Sequence, residues 1–233
     1  MAKTQFFKYE GLENDFILIP EIPGFTQDQV RELCDRHRGI GADGLIFVFF
    51  YEDLWTMRVY NTDGSLAEMC GNGIRCVAQW LFDQGHVVKE IQTDAGVKTC
   101  VQELGLWSVD MGMAQIEGNR VSMGNPHSVF LGPVLPEKID PNTNTEFVQI
   151  NHPRDIEVRI FERGVGETQA CGTGACASVA LLVSNHQLPA DQEITVHLKG
   201  GNLYITARQT ANGLQMQMKG PARYVFEGEV SVR

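Results

Sequence analysis

Two segments of one pattern, Cys70-Gly71-Asn72-Gly73 and Cys171-Gly172-Thr173-Gly174, stand about a hundred residues apart in this chain of 233. Upstream of each, Gly11-Leu12-Glu13-Asn14-Asp15-Phe16 and Gly124-Asn125-Pro126-His127-Ser128-Val129 set an asparagine where a loop gives way to an apolar run. An internal repeat constrains a fold strongly, because one supersecondary plan must be built twice. Two related lobes facing each other are expected.

Apolar spacing fills in the elements. After Cys70, Ile74, Val77, Ala78, Leu81 and Phe82 fall on one helical stripe, so a helix is expected to begin just beyond the cysteine. The segment from about Gly172 to Val183 is apolar on nearly every side and predicts a helix buried all round. Thr26 is a plausible N-cap for a third helix over Gln27 to His37. Elsewhere strands dominate. Ile156, Val158 and Ile160 alternate with Glu157 and Arg159, and Met216 and Met218 alternate with Gln215 and Gln217, as in half-buried strands. Further strands are expected at Phe6–Tyr9, Asp15–Ile19, Leu45–Phe50, Thr56–Tyr60, Val97–Val101, Trp107–Met111, Ser128–Leu131, Ile194–Leu198 and Leu203–Ala207.

Cysteine usage narrows the chemistry. Six cysteines, at positions 34, 70, 76, 100, 171 and 176, are too sparse for a secreted disulfide scaffold. Met1 to Glu10 contain no apolar signal core, and the longest apolar run, Leu45 to Tyr51, is far short of the roughly 20 residues that span a bilayer. A cytoplasmic protein with free thiols and no membrane partner is therefore expected. The C-x5-C and C-x4-C spacings lack paired C-x2-C knuckles, so no metal site is expected. A formal charge of −10 without a basic cluster argues against a nucleic-acid surface and for a small-molecule substrate. Gly39-Ile40-Gly41-Ala42-Asp43-Gly44 matches a dinucleotide-binding string, but a helix precedes it and a strand follows, the reverse of what that fingerprint needs.

A cysteine in the first turn of a helix meets free backbone N–H groups and the positive end of the helix dipole, which favour the thiolate. The glycines beside it let a substrate approach the backbone. Cys34, Cys76, Cys100 and Cys176 are expected to be packing residues. Cys70 and Cys171 share the repeated Gly-x-Gly context, and two thiols facing each other suit inversion of a stereocentre: one removes a proton and the other delivers one to the opposite face. Two helix N-termini converging on a substrate carboxylate would stabilise the charge that develops, with no cofactor. Asn61, Glu68, His127, Asn144, Glu162 and Arg163 are the nearby polar candidates. Glu162 or His127 could modulate a thiol, and Arg163 could clamp a carboxylate.

The motifs Asn61-Thr-Asp-Gly-Ser-Leu-Ala-Glu-Met-Cys70-Gly-Asn-Gly-Ile-Arg-Cys76, Met123-Gly-Asn-Pro-His127 and Glu162-Arg-Gly-Val-Gly-Glu-Thr-Gln-Ala-Cys171-Gly-Thr-Gly resemble those of the diaminopimelate epimerase family. The resemblance runs in order along nearly the whole chain. It implies an α+β fold of two pseudo-symmetric lobes, each an antiparallel sheet around a central helix, with the active site in the cleft between them. The lobes would be residues 1–112, completed by a C-terminal strand at about 222–233, and residues 113–221. It further implies a homodimer that epimerises LL-diaminopimelate to the meso form without a cofactor, for lysine and peptidoglycan precursors. By matching position, Cys70 and Cys171 are the catalytic pair and His127 and Glu162 tune them. Asn14, Asn61, Asn125, Asn144, Glu162 and Arg163 hold substrate, with backbone groups of Gly71, Asn72, Gly172 and Thr173. Asn142 offers an alternative register to Asn144. The chain departs from the family at Glu13, which replaces a glycine, at Gly44, which replaces a substrate-contacting glutamine of some members, and in a short stretch between Cys100 and Ser122. A racemase of another amino acid, or a binding protein of this fold without activity, are the alternatives. A thiol–disulfide oxidoreductase would normally carry C-x2-C.

Overall fold

The structure is a computed structural model that describes residues 3–231; residues 1, 2, 232 and 233, assigned above to the ends of the first lobe, lie outside the described residues. The chain divides into two units, Met1–Trp107 with Pro221–Arg233, and Ser108–Gly220. Strands outnumber helices in both. Among the described residues no helix is long and apolar enough to cross a membrane.

In the first unit the strands Lys3–Gly11 and Asn14–Pro20 form a hairpin. Helix α1 (Gln27–Cys34) then carries the chain over to Gly44–Tyr51, which lies parallel to Asn14–Pro20. Leu54–Asn61 runs antiparallel beside it. Helix α2 (Gly71–Asp83) makes the next crossover, to Glu90–Thr93, which is parallel to Leu54–Asn61. On the other edge Lys3–Gly11 pairs with the C-terminal strand Arg223–Ser231.

The second unit repeats the plan. Pro126–Leu131 is parallel to Asn144–His152, which is antiparallel to Asp155–Glu162. Helix α3 (Gly172–Ser184) leads to Glu193–Leu198, parallel to Asp155–Glu162. The repeat extends to register: Phe16 stands opposite Gly44 in the first unit, as His127 stands opposite Asn144 in the second. Each sheet is therefore mixed, mostly antiparallel with parallel pairs where a helix or long connection intervenes, as crossovers require.

Each helix forms where its sequence places it, with two departures in detail. Ala175, Cys176, Ala177, Val179, Ala180 and Leu182 of α3 have no solvent exposure, so the helix apolar all round is the core of its unit. Ile74, Val77, Ala78 and Leu81 of α2 are likewise fully buried, whereas Phe82, placed on the same stripe by spacing, is half exposed and packs edge-on against Trp107. Thr26 caps α1 in a full capping box with Gln29. That helix ends at Cys34 rather than His37, because the Asp35 carboxylate accepts the N–H groups of His37 and Arg38 at 2.8 and 2.9 Å and so competes with the helical ladder.

The hairpin that presents Asn14 turns on Leu12 and Glu13, both with positive φ, 56° and 61°. A two-residue hairpin loop with both central residues left-handed favours glycine or asparagine, and a side chain there costs about 1 kcal/mol. Glu13→Gly is expected to stabilise the protein by about 0.5–1 kcal/mol, after allowance for the added freedom of the unfolded chain. A shift of the urea midpoint to higher concentration at unchanged slope is the check.

Candidate active site

Cys70 and Cys171 occupy the same place in their units. Each is the N-cap of a 13-residue helix, with φ and ψ of −133° and 118° for Cys70 and −129° and 115° for Cys171. Cys70 Sγ accepts the N–H of Gly73 at 3.4 Å. Gly73 and Gly174, three residues beyond the cysteines, let each helix sit close on its sheet: a Cβ on Gly73 would lie 2.9 Å from Ile46 Cδ1, and one on Gly174 would lie 2.7 Å from Glu146 Oε1.

Around Cys70 the polar groups are anchored in sequence. Arg75, fully buried, donates to the carbonyls of Pro221 and Gly71 and to Asn72 Oδ1, the last at 2.8 Å. With its oxygen so engaged, Asn72 turns its amide nitrogen to Asn14 Oδ1 at 3.1 Å. Asn14 in turn donates to Asp43 Oδ2 at 3.0 Å. Asp43 and Asp15 share Arg36, and Asp15 also pairs with the buried Lys8 at 2.8 Å. Burial raises the Asp15 carboxyl, but hydrogen bonds from Arg36 and Lys8 outweigh it and hold it at about 2. Asn14 and Asn72 are thus fixed in orientation by cations and carboxylates behind them. Asn61 is exposed, donates to Ser65 Oγ at 3.0 Å and stands opposite Gly44 in the sheet. A side chain at Gly44 is precluded without a backbone shift, since its Cβ would lie 2.8 Å from the Tyr60 carbonyl. Glu68 is exposed, and its carbonyl accepts the N–H of Ala95.

Around Cys171 a second set gathers. Cys171 Sγ lies 3.3 Å from Thr173 Oγ1, which accepts from Asn125 Nδ2 at 3.3 Å. Asn125 Oδ1 is 3.1 Å from His127 Nε2, and His127 Nδ1 is 2.6 Å from Glu146 Oε1. Asn144, buried, accepts the backbone N–H of Arg163 at 2.9 Å, whereas Asn142 is exposed and bonds to Asp140. Thr168 donates to Glu162 Oε1 at 2.6 Å. Arg163 itself is exposed.

Cys171 differs from the simplest expectation. A helix N-terminus favours a thiolate, yet Cys171 is pushed well above the ordinary thiol value by burial first and then by the charge of Glu162. The Thr173 hydroxyl and the Gly174 N–H act the other way without reversing it. Burial pushes Cys34 and Cys100 up to about 12, which suits packing residues. Among the described residues no three His, Cys, Asp or Glu side chains gather as a metal-binding set.

Arg75 and Glu146 were not singled out by sequence. The repeat held the signal for Glu146: extending it in register sets Gly44-Leu45-Ile46 beside Asn144-Thr145-Glu146, and a carboxylate appears where an isoleucine is buried in the other unit. Arg75 had no comparable signal, since the first unit alone carries an arginine there; the second has Cys176.

The sequence model of the family described as "Diaminopimelate epimerase" matches residues 6–117 and 136–225. The chain is 38% identical to the diaminopimelate epimerase of Pelotomaculum thermopropionicum, over 98% of this chain and 99% of that protein. It is 39% identical to that of Synechocystis sp., over 97% and 99%. These alignments extend over 286 and 280 positions, more than the 233 residues here, so the relatives carry segments that this chain lacks. A PhzF-family phenazine biosynthesis protein of Bacillus anthracis shares the fold with a TM-score of 0.81 at 16% identity, over the full length of both chains.

The two glycine contacts differ in kind. Ile46 can swing its terminal methyl aside, whereas Glu146 is held by His127 at 2.6 Å. Gly73→Ala is expected to be nearly neutral, and Gly174→Ala to cost about 1–3 kcal/mol as an overpacked core does. Denaturant unfolding of the two variants, measured side by side, checks the asymmetry.

Proposed function

This chain belongs to the diaminopimelate epimerase family and is an isomerase, and from that membership we propose that it interconverts LL- and meso-diaminopimelate by a two-cysteine, cofactor-independent reaction. It does so in the supply of lysine and peptidoglycan precursors, as a cytoplasmic homodimer.

The observation that carries this reading is the pair of cysteines capping two 13-residue helices with matching backbone geometry. An amino-acid α-hydrogen is a weak acid, so its removal needs a base at the carbon and donors for the charge that moves onto the carboxylate. The first-turn N–H groups of α2 and α3 supply such donors, with Gly71, Asn72, Gly172 and Thr173 as the residues that present them. One cysteine takes the α-proton as thiolate, and the other returns a proton to the opposite face from its thiol. Cys171, whose burial and neighbouring Glu162 keep the proton on sulfur, rests as the donor; Cys70 is then the base. In the reverse direction the roles exchange.

The polar groups divide by task. Asn14 and Asn72 in the first unit, and Asn125 and Asn144 in the second, are held by hydrogen bonds and orient substrate at low entropic cost. Asn61, Arg163 and Glu162 meet the amino and carboxylate groups of the substrate, and His127 and Glu162 tune the thiols. The missing side chain at Gly44 removes one means of discriminating substrates and favours, as a second reading, racemisation of another amino acid on the same cysteine pair.

Incubation of the reduced protein with LL-diaminopimelate in deuterated water, without added cofactor, tests the assignment. Deuterium is expected at the α-carbon together with meso product, and Cys70→Ala or Cys171→Ala is expected to lower the rate by at least about a thousandfold. Absence of exchange from folded, fully reduced protein would reject diaminopimelate as substrate and move the test to a panel of other amino acids.

A further inference from the structure

Glu146 and His127 are a fully buried pair, and the fold does not require them to be polar. At the equivalent register of the first unit the same places are held by Phe16 and Ile46, with Ile46 packed under Gly73 as Glu146 is under Gly174. Replacing a buried ionic pair with packed apolar side chains is often neutral or stabilising, so stability alone gives no reason for a carboxylate here.

Donor and acceptor counting along the hydrogen bonds supplies one. The amide of Asn125 faces His127 with its carbonyl oxygen and Thr173 with its nitrogen. A carbonyl only accepts, so His127 Nε2 carries a hydrogen. Its Nδ1 lies 2.6 Å from Glu146 Oε1, which requires a proton between them. That proton belongs to an imidazolium facing a carboxylate, or to a carboxyl facing a neutral imidazole; either way the pair holds it and is neutral overall. Glu146 Oε2 accepts no hydrogen bond from the described residues, and burial pushes the carboxyl up, both consistent with a shared proton. Thr173 Oγ1 accepts from Asn125, which leaves its own O–H for Cys171 Sγ at 3.3 Å. From His127 Nε2 onward each donor points toward the sulfur.

We propose that Glu146 is a positioning residue for Cys171: holding a proton on the Nδ1 side of His127, it makes Nε2 the donor, and Asn125 and Thr173 pass that direction on to the sulfur. The thiolate that Cys171 becomes on giving up its proton then receives the Thr173 hydroxyl. No proton travels along the chain. With the shared proton gone, His127 would keep its hydrogen on Nδ1, Asn125 would turn over, and the Thr173 hydroxyl would turn to the Asn125 oxygen instead.

The inference rests on Cys171 being a catalytic thiol, but its test needs no substrate, so its failure is separable from failure of the epimerase assignment. Histidine nitrogen NMR of the full chain is expected to show His127 Nε2 protonated; a bare Nε2 overturns the proposal. In protein carrying carbon-13 at cysteine Cβ, the Cys171 titration, identified by its loss in Cys171→Ala, is expected to move up by about one pH unit in Thr173→Val and in Glu146→Gln, the latter with His127 Nε2 bare in the same nitrogen spectrum because the carboxamide oxygen accepts from Nδ1–H. The double variant should move no further than Thr173→Val, and Thr173→Ser should restore the midpoint. A downward shift in Glu146→Gln would mean that Glu146 acts only as a through-space charge, and an undiminished shift in the Thr173→Val background would mean that it acts by another route; either overturns the proposal. Should Glu146→Gln fail to fold, His127→Phe with Glu146→Ile copies the packing of the first unit and is expected to titrate as Thr173→Val does.

Discussion

Close seating of a helix N-terminus on a sheet is the constraint from which the rest of each unit follows. Gly73 and Gly174 sit where a side chain would collide with Ile46 and Glu146. Because both are glycine, the first turn of each helix lies against the sheet, with a cysteine as its cap. A first turn presents N–H groups that the helical ladder itself does not use, and that of Gly73 reaches Cys70 Sγ. Backbone geometry thereby brings a thiol and anion-binding donors to one end of each helix.

What distinguishes the two units is polarity beneath the helix. The first has Phe16 and Ile46, and it concentrates its charge to one side, where Lys8, Asp15, Arg36 and Asp43 lock Asn14. The second places His127 and Glu146 under the helix itself and runs hydrogen bonds from there to Cys171. The architecture is duplicated, but the surroundings of the two capping cysteines are not. Burial and Glu162 hold the proton on Cys171, whereas the Thr173 hydroxyl and the Gly174 N–H ease its departure.

Much was legible in the chain. The cysteine pair, the helices after each of them and most strands followed from repeat, spacing and alternation. Asn144–His152 carries no strand signal in the sequence because its first five residues are all buried and show no alternation. Phe82 was placed with the core by helical spacing, but spacing gives a direction and not the edge of the neighbouring sheet. The end of α1 moved because the Asp35 side chain outcompeted the helix locally, an effect of conformation that composition does not announce.

By itself the sequence determined the twofold plan and the residue types at its centre, since a repeated Cys-Gly-x-Gly dictates cap, close approach and helix start from short-range rules. Only the tertiary structure decided which partners those residues meet. Arg75 donating to Pro221, and Glu146 reaching His127 beneath Gly174, join positions far apart in the chain. The proton affinity of Cys171 likewise reversed the short-range expectation, because desolvation and a neighbouring carboxylate depend on everything packed around a group, and no local pattern of residues encodes that surrounding.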